Sequence, residues 1–184
     1  MRKIFLEYLI RMRGKVMSKQ IIFCVETNGK ARTDIVYIKD TIRKFYNDYS
    51  GINFEYVPMG TKTAFNNKKT KADIRKYIKN NPNGTSHIVY CIDTDQFECN
   101  QEQLKLNKSI EDFCLRNGYK LIWFCHDIEE VYIGKSVRNK DKVSISKRFK
   151  RKGEIEKVDE NKLRKDQQTS GHSNILNVID SCLK

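Results

Sequence analysis

The sequence has little of what marks several large classes of protein. It holds 2 prolines and 9 glycines among 184 residues, too few for a fibrous or low-complexity chain. Its 6 cysteines include no Cys-x-x-Cys pair, which favours reduced core thiols over a disulfide framework or structural zinc. No apolar run reaches the roughly 18 residues that a membrane span needs. The loop TNGK lacks the Lys-Ser/Thr ending of a P-loop, which argues against hydrolysis of nucleoside triphosphates.

The first 19 residues are predicted to form an N-terminal extension. The segment begins with basic residues, but Glu7 and Arg11 interrupt its apolar stretch and no small-residue cleavage site follows. This pattern argues against a signal peptide and, together with reduced cysteines, predicts a cytoplasmic protein. Met17 is an alternative start of the chain.

Positive charge is in large excess. Lysine and arginine total 36 against 23 aspartates and glutamates, a formal net charge of +13. A field of this size attracts polyanions, either nucleic acid or an anionic membrane surface. The alternative is a bias of composition, because lysine, asparagine and isoleucine all run high in AT-rich genomes. Apolar residues at 39% and aromatic residues at 10% indicate a folded core.

Apolar runs alternate with helical periodicity along the chain. Helical spacing predicts helices after each of the first three runs, and Ser173 is expected to cap a last helix. This alternation predicts an α/β fold with a mostly parallel, four-stranded sheet flanked by helices. The predicted strands are 20–26, 52–58, 87–92 and 119–125.

A basic segment interrupts this pattern. Residues 135–166 hold 13 basic and 6 acidic residues with almost no apolar periodicity, which predicts a basic insert that is either mobile or an exposed helix. We therefore expect an α/β core over 20–134 and a C-terminal helix over 167–184 that completes it. The basic side chains are candidates for phosphate contacts, or are ordinary solvated charges. The candidates are Lys30, Arg32, Lys135, Arg138, Lys142, Lys147 and Arg148, with Lys62 as part of a second rim.

Acidic residues follow three of the four predicted strands. Glu26 ends the first strand, Asp93 and Asp95 follow the third, and Glu129 and Glu130 follow the fourth. Parallel strands bring their carboxyl ends to one edge of a sheet, where such folds bind ligands. Two carboxylates spaced two residues apart can face one divalent ion, so the pattern predicts a Mg²⁺ site that also takes Mn²⁺. The alternative is that these residues only form turns and helix caps.

The same segments resemble the TOPRIM fold, which is found in topoisomerases, primases and nucleases. Residues 25–34 (VETNGKARTD) and 88–97 (IVYCIDTDQF) carry the resemblance, and it is closest to the RloB- and OLD-type phage-defence proteins. It implies a Mg²⁺-dependent enzyme with Glu26, Asp93 and Asp95 as catalytic and metal-binding residues. It also implies a metal-binding carboxylate after the fourth strand, at Glu129 or Glu130. Asp34 resembles the acidic residue that opens the family's first helix.

Together these features predict a TOPRIM-like nuclease that hydrolyses RNA, including tRNA, or DNA as the effector of an antiphage system. The predicted partners are nucleic acid and an ATPase or another defence subunit, not a membrane; whether the chain forms a homodimer stays open. One alternative is a non-catalytic basic adaptor for nucleic acid or an ATPase. Another is a phosphatase with Asp93 as the nucleophile. His126 is a further candidate, as a proton donor, a metal ligand or a hydrogen-bonded bystander.

Overall fold

The computed structural model describes residues 18–27, 32–49 and 51–184. Residues 1–17 of the predicted extension, and Lys30, lie outside the described residues. Among the helices of these ranges, none is long and apolar enough to cross a membrane. Strands and helices alternate as β1 (Lys19–Val25), α1 (Thr33–Tyr46), β2 (Ile52–Pro58), α2 (Lys68–Asn80), β3 (Thr85–Asp93), α3 (Gln101–Arg116), β4 (Lys120–Phe124), α4 (Ile128–Ile133), α5 (Asn139–Arg151) and α6 (Ile175–Leu183).

The four strands form one parallel sheet in the order β2-β1-β3-β4. This confirms the predicted α/β fold. The central strand β1 is buried almost throughout, which explains why its sequence is a continuous apolar run rather than an alternating one. Because β1 and β3 are direct neighbours, with Val25 paired to Cys91, the residues that follow them emerge side by side.

Helices cover both faces of the sheet. Successive residues of β1 point to opposite faces, so Phe23 joins one core and Ile22 the other. The second core holds Ile74 of α2 and Ile110 of α3. The first core is larger and is closed by side chains from the remaining helices, among them Tyr37 of α1, Tyr132 of α4, Phe149 of α5 and Ile179 of α6.

The segment predicted as an exposed basic insert belongs to the first core. Helix α5 packs on α1, and the fully buried ring of Phe149 lies 4.9 Å from that of Tyr37 between ring centroids. Ile155 and Leu163, from two short 3₁₀ turns after α5, are also fully buried. The few apolar residues of this segment are divided among α5 and the two 3₁₀ turns, which is why the sequence shows almost no apolar periodicity there. Most of the basic residues of α5 lie on its outer side and are exposed, whereas Lys142 is largely buried.

Phe149→Ala tests whether this segment is part of the core. Because Phe149 is 0% exposed, its truncation is expected to lower the free energy of unfolding by about 3–5 kcal/mol, measured by urea denaturation. The control, Lys147→Ala on the exposed side of the same helix, is expected to change it by less than about 0.5 kcal/mol. A decrease below about 1 kcal/mol in Phe149→Ala would instead support an independent insert.

Candidate metal centre

The neighbouring ends of β1 and β3 bring two of the predicted acidic residues together. Glu26 follows β1, and its Oε1 accepts a hydrogen bond of 2.7 Å from the backbone N–H of Asp93. Its Oε2 accepts a second bond of 3.2 Å from the backbone N–H of Lys62. Two backbone donors from different segments therefore fix the Glu26 carboxylate beside the end of β3.

Helix α4 attaches to the same sheet edge. The first helical residue, Ile128, donates its backbone N–H to Asp93 Oδ1 at 3.0 Å. Asp127 caps the helix, because its Oδ1 accepts the N–H of Glu130 at 2.7 Å. This attachment holds Glu129 inside the protein, where its side chain is 0% exposed. The short helix has only 6 residues, too few for its periodicity to be recognised in the sequence.

A lysine from the basic segment approaches this buried carboxylate. Lys142 of α5 places its Nζ 2.8 Å from Glu129 Oε2, and only 22% of its side chain is exposed. The other carboxylate oxygen, Oε1, has no hydrogen-bonding partner among the described residues. Lys142 therefore serves as a counter-ion inside the site rather than as an outward phosphate contact of the kind predicted from the sequence.

The carboxyl groups of Glu26, Asp34 and Asp93 border an open cavity of about 410 Å³. Asp34 reaches it from the first turn of α1, where Thr33 donates its hydroxyl to Asp34 Oδ1 at 3.0 Å. Glu129 is not exposed to the cavity. It is connected to the residues that line the cavity by its ion pair with Lys142. The cavity is lined by Glu26, Thr27, Thr33, Asp34, Gly60, Asp93, Asn139, Lys142 and Val143.

Burial and mutual repulsion raise the pKa values of the carboxyl groups at the two strand ends. Burial, followed by the nearby Glu26 and Asp34, holds the pKa of Asp93 well above its usual range. Burial also raises the pKa of Glu26 to about 7, against the opposing effect of the Lys62 ammonium. Both groups are therefore harder to ionise than they are in water, and a bound cation would favour their charged forms.

The remaining two carboxyl groups show the same effect. Burial is the main cause that raises the pKa values of Asp34 and Glu129, and Lys142 opposes the rise in both. Burial alone would lower the pKa of Lys142, but its contact with Glu129 raises it above the usual range for lysine. The site thus gathers three carboxyl groups, those of Asp34, Asp93 and Glu129, around Lys142, with Glu26 beside Asp93.

Asp95 and Glu130 lie elsewhere. Asp95 has a left-handed backbone with φ of 51°, and its Oδ2 is 2.5 Å from the Nζ of Lys62. Asp95 and Glu130 line a neighbouring cavity of about 420 Å³ together with His126. The structure therefore brings Glu26, Asp34, Asp93 and Glu129 together, whereas Asp95 and Glu130 border the second cavity.

Lys62 is buried, whereas the sequence predicts that it is exposed. Instead of lying on an exposed phosphate-binding rim, it is 4% exposed. Its ammonium donates to the Asp93 carbonyl at 2.7 Å and is paired with Asp95. No local signal in the sequence marks Lys62, because its partners are about thirty residues away. Lys142 does have a signal, since it shares one face of α5 with the buried Ser146 and Phe149.

The other predicted phosphate contacts lie on the surface. Lys147 and Arg148 are exposed on α5, and Lys135 is exposed just before it. Arg138 is exposed at the start of α5, with its Nε 3.0 Å from Asp141 Oδ2. Arg32 borders a separate cavity beside β2, away from the residues that line the carboxylate cavity.

No protein-family model, curated protein or solved structure matches this chain.

Proposed function

We propose that the chain is a TOPRIM-like nuclease that uses Mg²⁺ or Mn²⁺ to hydrolyse phosphodiester bonds in RNA or DNA. One observation carries the proposal: Glu26, Asp34 and Asp93 line an open cavity on the carboxyl edge of the sheet, and the buried Glu129 lies behind Lys142 of the same lining. A divalent ion bound there would polarise the phosphate and lower the pKa of a water molecule that attacks it.

The chemistry of these residues suits such an ion, although as they stand no three of their oxygens lie within 4.8 Å of one another among the described residues, so the side chains must move closer to bind it. Their donors are carboxylate oxygens, which are the ligands that Mg²⁺ prefers. The buried Oε1 of Glu129 has no hydrogen-bonding partner among the described residues, so this oxygen can become a ligand if the side chain or Lys142 moves. Burial is the main cause that raises the pKa values of the four carboxyl groups, and a bound cation would favour their ionised forms.

Glu26 and Asp95 have distinct roles in this proposal. Burial raises the pKa of Glu26 to about 7 in the metal-free site, and we assign this carboxyl group as a metal ligand or a proton carrier. Asp95 acts indirectly. It pairs with the ammonium of Lys62, which also donates a hydrogen bond to the backbone carbonyl of Asp93. We therefore treat Asp95 as a positioning residue.

The charge of α5 supports nucleic acid as the substrate class. Asn139, Lys142 and Val143 of this helix border the carboxylate cavity. Exposed basic residues continue along the same helix, so an extended polyanion held by them would also pass the cavity. These exposed residues are Lys140, Lys147, Arg148, Lys150 and Arg151. The role in antiphage defence, with an ATPase or similar partner, is proposed from the resemblance of residues 25–34 and 88–97 alone.

The direct test is cleavage of pooled tRNA, other RNA and plasmid DNA by the full-length protein. We expect cleavage with Mg²⁺ or Mn²⁺ and none with EDTA. Glu129→Gln, which removes a buried charge but keeps the side chain's shape, is expected to lose the activity while still binding nucleic acid. Binding of nucleic acid without any metal-dependent cleavage would contradict the proposal and favour a non-catalytic basic adaptor.

Lys147→Ala combined with Arg148→Ala tests the substrate surface. If both side chains contact phosphates, the double variant is expected to bind duplex DNA on the order of tenfold more weakly near physiological salt. The dependence of log K on log salt should also become shallower, by about 0.9 for each phosphate that the variant no longer neutralises. Fluorescence anisotropy over a range of salt concentrations measures both quantities.

The chain offers a matched control on the opposite face of the sheet. Arg75 and Lys76 are adjacent, exposed residues of α2, and their double alanine variant removes the same charge. Equal weakening by the two double variants would show that net charge, rather than the α5 surface, binds the nucleic acid.

A further inference from the structure

A group of side chains that could bind a metal ion lies between the turn before α3 and the end of β4, beside the neighbouring cavity. It differs in chemistry from the carboxylate cavity because it includes sulfur and nitrogen donors. One ligand atom from each of Glu98, Cys125 and His126 lies within 4.8 Å of the others. A tetrahedral Zn²⁺ with bonds of about 2.0–2.3 Å places its ligand atoms roughly 3.3–3.8 Å apart. Small side-chain movements therefore bring the three donors to bonding distance.

The surroundings of His126 match those of a metal-bound imidazole. Its Nε2 lies 3.2 Å from Glu98 Oε1, and its Nδ1 lies 3.1 Å from Glu130 Oε2. A histidine that binds metal through one ring nitrogen usually donates the other N–H to a carboxylate, which orients the ring. With Nε2 facing the ion beside Glu98, Glu130 is placed to act as that orienting carboxylate.

The backbone of the two adjacent ligands is fixed from several directions. Cys125 donates its backbone N–H to the carbonyl of His172 at 2.9 Å. His126 donates its N–H to Thr94 Oγ1 at 2.9 Å, and its carbonyl accepts the N–H of Asp95 at 2.8 Å. A site whose ligands are already held in place loses little conformational freedom when an ion binds.

An ion can also reach this place. Cys125 is fully buried, but the side chains of His126 and Glu98 are 25% and 48% exposed. His126 lines the neighbouring cavity of about 420 Å³ together with Gln103. The side-chain oxygen of Gln103 is buried and has no hydrogen-bonding partner among the described residues. An ion can therefore reach His126 from the solvent through this cavity, which the unpartnered oxygen of Gln103 also borders.

We propose that Glu98, Cys125 and His126 bind one Zn²⁺ or a similar first-row transition metal ion, with Glu130 orienting His126. A thiolate, an imidazole and a carboxylate suit Zn²⁺ and do not suit Mg²⁺. The ion would link the turn before α3 to the end of β4, with a fourth position left for water or another ligand. No spacing in the sequence marks this site, because Glu98 lies 27 residues before Cys125 and no Cys-x-x-Cys pair is present.

Titration of the metal-free, full-length protein with Co²⁺ tests the proposal, because Co²⁺ replaces Zn²⁺ and is coloured. We expect one equivalent to give a thiolate-to-cobalt charge-transfer band and the visible bands of a four-coordinate ion, and Zn²⁺ to remove both. Cys125→Ser is expected to abolish the charge-transfer band. Cys99→Ser, which changes a nearby exposed cysteine, is the matched control and is expected to keep it.

Two further variants keep the test decisive if Cys125→Ser fails to fold. Glu98→Gln and His126→Gln alter partly exposed side chains and are each expected to weaken Co²⁺ binding by at least about tenfold. The absence of the band in the wild type, or its persistence at full strength in both variants, would overturn the proposal. Asp93→Asn is expected to keep the band, so failure of the nuclease proposal and failure of this one are seen separately.

Discussion

Asp93→Asn is expected to reduce metal-dependent cleavage by at least about a hundredfold. Changes to residues that only orient metal ligands already cost about 10–100-fold, so removal of a ligand's charge should cost at least as much. Asparagine keeps the shape of the side chain and can still accept the hydrogen bond from the N–H of Ile128. The expected reduction therefore comes from metal binding rather than from folding. Initial rates at one Mg²⁺ concentration, just sufficient to saturate the wild type, on the nucleic acid that the wild type cleaves, measure it.

Two further aspartates define the comparison. Asp112→Asn makes the same change at an exposed position of α3 and is expected to leave the rate unchanged. Asp95→Asn is expected to cause a smaller reduction than Asp93→Asn, because Asp95 is paired with Lys62 and borders the other cavity. Equal reductions at Asp93 and Asp95 would show that both carboxylates hold the ion. Wild-type cleavage by Asp93→Asn would contradict the proposed nuclease site.

Without divalent metal, the protein is expected to become less stable as the pH rises from about 4.5 to about 7. Burial raises the pKa of Glu26 from 4.5 to about 7 in the folded state. Between these two pH values, the folded state therefore binds more protons than the unfolded state. Stability falls with rising pH wherever the folded state binds the excess protons. The decrease attributable to Glu26 is on the order of 3 kcal/mol when complete. Urea denaturation in EDTA across this pH range measures it.

Glu26→Gln and Mg²⁺ provide the tests of this prediction. Glutamine carries no charge, so the stability of the variant in EDTA is expected to vary less with pH, although it loses one of the two backbone hydrogen bonds that the carboxylate accepts. Mg²⁺ is expected to stabilise the wild type more at pH 8 than at pH 5, because protons compete for the same oxygens. Glu111→Gln, at an exposed position of α3, is the matched control. A pH dependence that is identical in Glu26→Gln and the wild type would refute the prediction.

The strands could be predicted from the sequence because their signal is local. The predicted strand 52–58 has the same bounds as β2, and the other strands differ by one or two residues at their ends. Continuous apolar runs mark strands that are buried on both faces, whatever their partners are. Placing Glu26 and Asp93 together required only that these strands be parallel and that β1 and β3 be neighbours.

The rest of the site depends on contacts between distant segments. The spacing of Asp93 and Asp95 indicates one shared ion, but the left-handed backbone at Asp95 and its pairing with Lys62 place that carboxylate at the other cavity. Helical spacing places Lys142 on the buried face of α5, but its partner Glu129 could not be identified from the sequence, because Glu129 lies on a helix too short to be recognised. Such pairings are set by packing, which periodicity and composition do not describe.

Isothermal titration of Mg²⁺ into the full-length protein and its Asp93→Asn variant tests the central claim most directly. Mg²⁺ is the right probe because it favours the carboxylate oxygens of the first cavity over the sulfur and nitrogen donors of the second. We expect saturable binding to the wild type and to Asp112→Asn, and no binding to Asp93→Asn. Absence of binding to the wild type, or equal binding to Asp93→Asn, would contradict a metal centre formed by Glu26, Asp34, Asp93 and Glu129.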